Sequence, residues 1–281
     1  MTKRVQFFLA FAVVFGARCA LSRTLIVDVS GLGQYTTIQA GINAALAGDT
    51  VKVDPGVYNE QLNISTNIVV EGSGYEYTQI VSNTDPAVSM SAGTIMWFAI
   101  SSNTGRGVAM SGGTLTNCVV WNCPKKGIEI TGGTTALIQN CDVVNNNVGQ
   151  SLGQIYCDNN TGSTVVNTII WTPPQGSYYD GVWNDSYANT LYCRVDHSSS
   201  GGTGDVNSNP QFNSSTDFQL AGGSPCIDTG KPDIYDPDGS RSDMGYYGGP
   251  DAPVFPVVTN LRIYLNPNGT VNVQATAQSR Y

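Results

Sequence analysis

Three stretches of this chain repeat one plan, and that repeat restricts the possible folds more than any other feature. GVAMSGGTLTNCVVWN from Gly107, GIEITGGTTALIQNCDVVNNN from Gly127 and QIYCDNNTGSTVVNTIIW from Gln154 share it. Each begins with an apolar alternation, crosses a Gly/Asn/Thr turn, runs through a second strand to an Asn and enters a third. A weaker copy, GVWNDSYANTLYCRVD, starts at Gly181, and a fainter one runs from Ala87 to Ile100. Their opening residues Val88, Val108, Ile128, Ile155 and Val182 lie 20, 20, 27 and 27 residues apart. Short strands recurring at that period predict a solenoid, in which each coil stacks on the last and like residues form columns.

The columns can be read directly. Asn117, Asn140 and Asn167 share one position, at a bend where an Asn can donate to the neighbouring coil. Val120, Val143, Ile170 and Val195 form an apolar column. Cys118, Cys141, Thr168 and Cys193 have the same inward parity, while Val119, Asp142, Ile169 and Arg194 alternate to the outside. A stacked Cys column reads as small buried hydrophobes, so free thiols are favoured over disulfides for the cysteines of the body. Zinc is disfavoured, because there is no CxxC and His197 is the single histidine.

At the start, Lys3 and Arg4 lead into an apolar run from Phe7 to Phe15 and then small residues, the pattern of a secretory signal peptide over residues 1–20. The run is too short for a membrane span, so an integral membrane protein is not expected. The formal net charge is −8 and no basic cluster is longer than Lys125-Lys126, which argues against nucleic-acid binding. Charged residues make up only 12% while Gly numbers 32, as suits a turn-rich extracellular β protein.

Ahead of the repeat, Ile38, Ile42, Ala45 and Leu46 fit one face of a short helix, with Thr36 or Thr37 as N-cap and Gly48 as stop. TVKVDPGVY follows as an alternating strand with a turn at Asp54-Pro55-Gly56. The run TIQAGINAALAGDTVKVDPGVYNE resembles the N-terminal signature of pectate-lyase-like right-handed parallel β-helix proteins. The Asn-bearing repeats resemble generic rungs of that superfamily. DFQLAGGSPCIDTGKPDIYDPDGSRSDMGYYGG, from Asp217, resembles a segment at the end of many secreted bacterial β-helix proteins.

The resemblance spans Thr24 to Gly249. It implies an all-β, right-handed parallel β-helix (solenoid) over residues 21–249, with a short N-terminal capping helix. It does not imply one activity, since the superfamily holds lyases, hydrolases, esterases and adhesins. Residues 250–281 read as a Pro-rich linker and a C-terminal β-hairpin-like tail, LRIYL and TVNVQAT joined across Asn266–Gly269.

Polysaccharide-cleaving β-helices carry acids and bases on the outer face of one sheet, and hydrolysis needs two carboxylates about 5–10 Å apart. The outward columns are Ala109, Glu129, Tyr156, Trp183 and Val119, Asp142, Ile169, Arg194; neither offers paired acids on neighbouring rungs. Asp142, Arg194, Asp196 and His197 are the catalytic candidates, with a surface turn the blander reading of Asp196-His197. Arg106 and Lys125-Lys126 fall in turns between rungs and read as solvated. Glu129, Tyr156, Trp183 and Tyr179 are the candidate ligand-binding set, because exposed flat rings stack on sugar faces. Asp236, Asp238 and Asp243 lie on one tight loop and offer oxygen ligands for Ca²⁺. The competing and preferred reading is a turn held by Asx hydrogen bonds and an Arg241–Asp pair. Either way the loop is expected to close the C-terminal end of the solenoid.

The sequence therefore favours a secreted or bacterial cell-surface protein that binds a polysaccharide or cell-surface glycan without catalysis. A polysaccharide lyase or glycoside hydrolase acting on acidic polysaccharide is the alternative, and a structural stalk or passenger the third. An enzyme requires acids and a base converging on adjacent rungs. A binding module requires aromatics in a groove without convergent charges, and a stalk requires no exposed aromatic column.

Overall fold

The computed structural model describes residues 22–132, 135–147, 154–158, 162–172, 181–183, 188–195, 202–253, 256–265 and 270–279. The expected signal peptide, Tyr179, Asp196 and His197 lie outside these residues, as does the side chain of Trp183.

The chain winds through three parallel sheets, visited in the same order on successive coils. One full coil runs from Gly113–Thr116 in sheet I through Val119–Trp121 in sheet II to Ile128–Thr131 in sheet III. The next runs through Ala136–Gln139, Asp142–Val144 and Ile155–Asp158. Crossovers between parallel neighbours of one sheet are right-handed, and the molecule is a right-handed parallel β-helix. The register follows the repeat: Val88 pairs with Val108, Val108 with Ile128, Ile128 with Ile155 and Ile155 with Val182.

Side-chain alternation sends one half of each strand into a single core. Val120, Val143 and Ile170 are completely buried there, as are Cys118, Cys141 and Cys193. The described cysteines are free, and each of these three thiols donates to a carbonyl one coil back, on Ile95, Leu115 and Val165. Burial pushes the Cys118 thiol up to about 12, so it stays neutral and behaves as a small hydrophobe.

At the N-terminal end, the helix Ile38–Ala44 is capped by Thr37, whose hydroxyl accepts the Ala40 N–H. The Glu60 carboxylate accepts the next free amides, from Ile38 and Gln39. Ile38 and Ile42 are buried, and Gly41 lies against Val27 and Val51 where a side chain would clash. The helix stops with Ala45 as its cap, short of Gly48, and this leaves Leu46 exposed rather than on the buried face. At the other end, Pro256–Leu265 and Val271–Ser279 form an antiparallel hairpin with an irregularity between Val258 and Asn260. The first strand therefore takes in Pro256, Val257 and Val258 of the expected linker.

The bend between sheets I and II explains the Asn column. Asn117, Asn140 and Asn167 have φ of 43°, 47° and 48°, a left-handed conformation that Asn tolerates better than most residues. Their side chains do not donate to the neighbouring coil, as the sequence suggested. They bond a C-terminal strap, residues 231–252, which runs back along the flank of the solenoid instead of closing its end. Asn167 donates to Ser242 Oγ and accepts from the Lys231 N–H. Asn140 donates to the Asp243 carbonyl, and Asn117 to the carbonyls of Tyr246 and Gly248. Further along the strap, the Asp251 carbonyl accepts from Trp97 Nε1. Rings add to the attachment. Tyr75 meets Tyr246 edge-on at 4.8 Å between centroids, and Trp121 meets Phe218, of the segment before the strap, at 5.8 Å.

Asn117→Ala would remove both hydrogen bonds and place an alanine at positive φ. The expected cost is about 2–3 kcal/mol, with faster proteolytic cutting within the strap. An unchanged melting temperature and digestion pattern would show that this ladder does not anchor the strap.

Candidate functional site

The strap leaves the outer face of sheet III open. The central column of that face is Ser89, Ala109, Glu129 and Tyr156, set by the register of four successive strands, with Trp183 next in line. Glu129 and Tyr156 are both half-buried. This is the outward column expected from the sequence.

The turns leading from sheet II into sheet III add charges to it. Asp85, Arg106, Lys125 and Lys126 precede three successive strands of sheet III and come together beside Glu129. Arg106 Nε donates to Asp85 Oδ1 at 2.7 Å, and its Nη1 reaches Glu129 Oε2. Lys125 Nζ lies 2.7 Å from Asp85 Oδ2 and Lys126 Nζ 2.5 Å from Glu129 Oε1. The Lys126 ammonium also sits 3.7 Å from the centre of the Tyr156 ring. Arg106, on the rung between them, is thus a bridge between two carboxylates two rungs apart, with a lysine on each of them.

Electrostatics follow from this geometry. Burial opposes ionisation of both acids, but the charge-assisted hydrogen bonds outweigh it. Lys125 and Arg106 hold Asp85 well below the usual carboxylate range, and Lys126 and Arg106 hold Glu129 below its ordinary value. Both acids are therefore ionised at neutral pH. With three cations on two anions, the patch retains one net positive charge and is suited to an anionic ligand.

The expectation that Arg106 and Lys125-Lys126 are simply solvated is corrected here, since all three are paired. The signal was available in the sequence. From the Val88, Val108 and Ile128 register, Asp85 aligns with Gly105 and Lys125, and Pro86 aligns with Arg106 and Lys126. Reading the turns by column, like the strands, brings these charges onto adjacent rungs.

Two catalytic candidates are displaced from any site. Asp142 does have outward parity, but the strap covers the outer face of sheet II, and Asp142 is completely buried beneath it. Arg194 is 1% exposed; it donates to the carbonyls of Ile170 and Ser208 and stacks on the Trp171 ring at 3.8 Å. Its guanidinium fastens the last coil to the segment that leads towards the strap.

The acidic loop is built as a turn. Asp236 accepts the amides of Asp243 and Gly249, Asp238 accepts from Ser240, and Asp243 accepts the Asp228 amide. Among the described residues no group of three or more acidic, Cys or His side chains is arranged to hold a metal ion. The oxygens of Asp236, Asp238 and Asp243 are turned onto neighbouring amides and do not converge on a Ca²⁺ site. Arg241 bonds the carbonyls of Gly230 and Thr229, not an aspartate. These carboxylates border a cleft of about 440 Å³ with Leu220 and Tyr247. Burial and the neighbouring acids push Asp243 up to about 7.

Parallel sheets, coils of three short strands and a bend built on Asn characterise one architecture. The chain has a right-handed parallel β-helix fold. No family model matches it. Over 84 residues, 27% of this chain, it is 32% identical to the probable pectinesterase 67 of Arabidopsis thaliana, of which it covers 24%. The chain thus spans about a quarter of the length of the curated relative it matches. Similar solved structures include pectin methylesterase PemA from Erwinia chrysanthemi, at 14% identity and a TM-score of 0.42, with 53% of this chain and 54% of that one covered. Carrot pectin methylesterase gives 16% and 0.43, covering 60% and 70%, and pectate lyase Pel9A gives 13% and 0.40, covering 80% and 96%. Among the described residues, no helix of this β-helix protein is long and apolar enough to cross a membrane.

Proposed function

We propose that this protein is an exported enzyme acting on an acidic polysaccharide of the pectin class, at the uronate carboxyl groups. The observation behind this reading is the convergence of Asp85, Arg106, Lys125, Lys126 and Glu129 on adjacent rungs beside Tyr156. Convergent acids and bases are what separate an enzyme from a binding module on this fold. The partial likeness to a probable pectinesterase supports the same substrate class. Non-catalytic glycan binding therefore becomes the second reading.

The protonation states favour ester hydrolysis over cleavage of the glycosidic bond. A glycosidase needs a protonated carboxyl to assist the leaving group, and here both acids are held ionised. An ionised carboxylate can take a proton from the water that attacks an ester carbonyl. Arg106 and Lys125 would stabilise the oxyanion, and the alcohol leaves with the transferred proton. Tyr156 supplies a flat surface for a sugar ring.

The test uses the full chain with pectins of high and low methyl esterification, following methanol release, unsaturated product and new reducing ends. Methanol release without chain cleavage is the expected result, and Tyr156→Ala should weaken substrate binding by about ten-fold. Retention of the polymer with none of the three products would return the protein to the binding class.

A further inference from the structure

Asp142 has no role in the site above, yet its surroundings are unusual for an ionisable group. It stands on sheet II between Val119 and Ile169, its apolar neighbours in the column. Its side chain is 0% exposed, and neither carboxyl oxygen accepts a well-formed hydrogen bond, with the Tyr246 backbone N–H nearby but poorly placed. Gly245 of the strap lies directly over it: a Cβ there would fall 2.5 Å from Asp142 Oδ1. The same contact recurs four residues on, where a Cβ on Gly249 would fall 2.5 Å from Asn140 Oδ1, another buried acceptor without a donor. The strap therefore presses two glycines onto acceptors that it does not satisfy.

A bare carboxylate in that position would be an uncompensated buried charge, which is strongly unfavourable. No cation faces it among the described residues. Tyr246 of the strap, Cys141 in the core beneath and Cys226 lie within its reach, and Asp243 of the strap faces Cys226. Arg241 of the strap is turned onto the Gly230 and Thr229 carbonyls. Arg194, in the same column, is engaged two rungs away with backbone carbonyls and the Trp171 ring.

We propose that Asp142 is a proton-held latch, with the strap seated on the solenoid while this carboxyl is neutral and released when it ionises. Burial raises its affinity for the proton well above that of an ordinary aspartate, and the Tyr246 backbone offsets this only in part. Release would uncover the Asn117–Asn140–Asn167 bend and the face of the Tyr75 ring that meets Tyr246. The sign is fixed by linkage. When the group is neutral in the seated state and ionised in the open one, opening becomes about ten-fold more favourable with each pH unit.

Other titrating groups are separable from Asp142 in the alkaline range. Asp243, pushed up to about 7, is largely ionised above about pH 8 and adds no further slope there. Cys118 and Cys141 are buried in the core of the coils, and an exposed Tyr246 would ionise only near its ordinary value of about 10, above this range. Cys226, pushed up to about 12 by burial beside the strap, would add a like slope if opening exposed it, but that slope would persist in a variant of Asp142.

Hydrogen exchange read by mass spectrometry tests the latch on the full chain from about pH 8 to about pH 9.5. Chemical exchange alone accelerates about ten-fold per pH unit, so amides of residues 242–249 should accelerate about a hundred-fold per unit in the wild type. In Asp142→Asn they should return to ten-fold, while strands of sheet III show ten-fold in both. Asp142→Val, which continues the Val119 column, provides the same comparison with a different side chain. A ten-fold slope in the wild type, a hundred-fold slope surviving in both variants, or the same excess in sheet III would each overturn the proposal. None of these outcomes depends on whether the protein turns over pectin.

Discussion

Arg106→Ala is expected to reduce turnover of a pectin-class substrate by about 10²–10³-fold, the usual effect of removing one preorganised donor to a developing oxyanion. The expectation rests on its position between Asp85 and Glu129, where one guanidinium bridges two rungs. Lysine is a poor replacement, because an ammonium cannot span both carboxylates as a planar fork does. Arg106→Lys should therefore recover only a small part of the activity.

The variant also carries a pH signature. Burial pushes the Glu129 carboxyl up, but Lys126 and Arg106 together hold it below its ordinary value. Removing Arg106 takes away one of the two compensating cations, so the acidic limb of the pH–rate profile should move to higher pH. Because the cluster is at the surface, the fold should survive and the melting temperature should change little. Unchanged turnover with an unchanged pH profile would exclude this cluster as the reaction centre.

Arg194→Met should have the opposite profile, a large loss of stability without a specific effect on chemistry. The side chain is buried, and its removal takes a donor from the Ile170 and Ser208 carbonyls and opens a gap against the Trp171 ring. Loss of a buried charged hydrogen-bond donor of this kind costs about 3–5 kcal/mol. For a chain of this size the melting temperature should fall by about 10 °C. A shift within about a degree of the wild type would show that the last coil is held by other contacts.

The two arginines illustrate where sequence reading succeeds and where it fails. Arg194 belongs to an outward column and Arg106 to a turn, and the sequence shows both. Outward parity does not make the first accessible, and the turn does not leave the second solvated. Asp142 is the same case as Arg194, for its strand neighbours Val119 and Ile169 already hint at a face that is covered. Glu129 and Tyr156 are legible as outward and remain open, because no later segment crosses them among the described residues.

The coil is written in the local sequence: three strands per turn, the pairing of Val88, Val108, Ile128, Ile155 and Val182, the buried Cys column, the Thr37 cap and the terminal hairpin. These depend on side-chain alternation and on short-range turn chemistry, which a short stretch of residues carries in full. Which outer face stays open, and which charges meet, is settled by long-range packing. A strap whose bonds to the Asn column span 64 to 131 residues of sequence covers sheet II. Stacking brings Asp85, Arg106 and Glu129 together although 21 and 23 residues separate the partners of the two ion pairs. Alternation along a strand sets the direction of a side chain, but its solvent exposure and its partners are set by whatever the rest of the chain brings to that face.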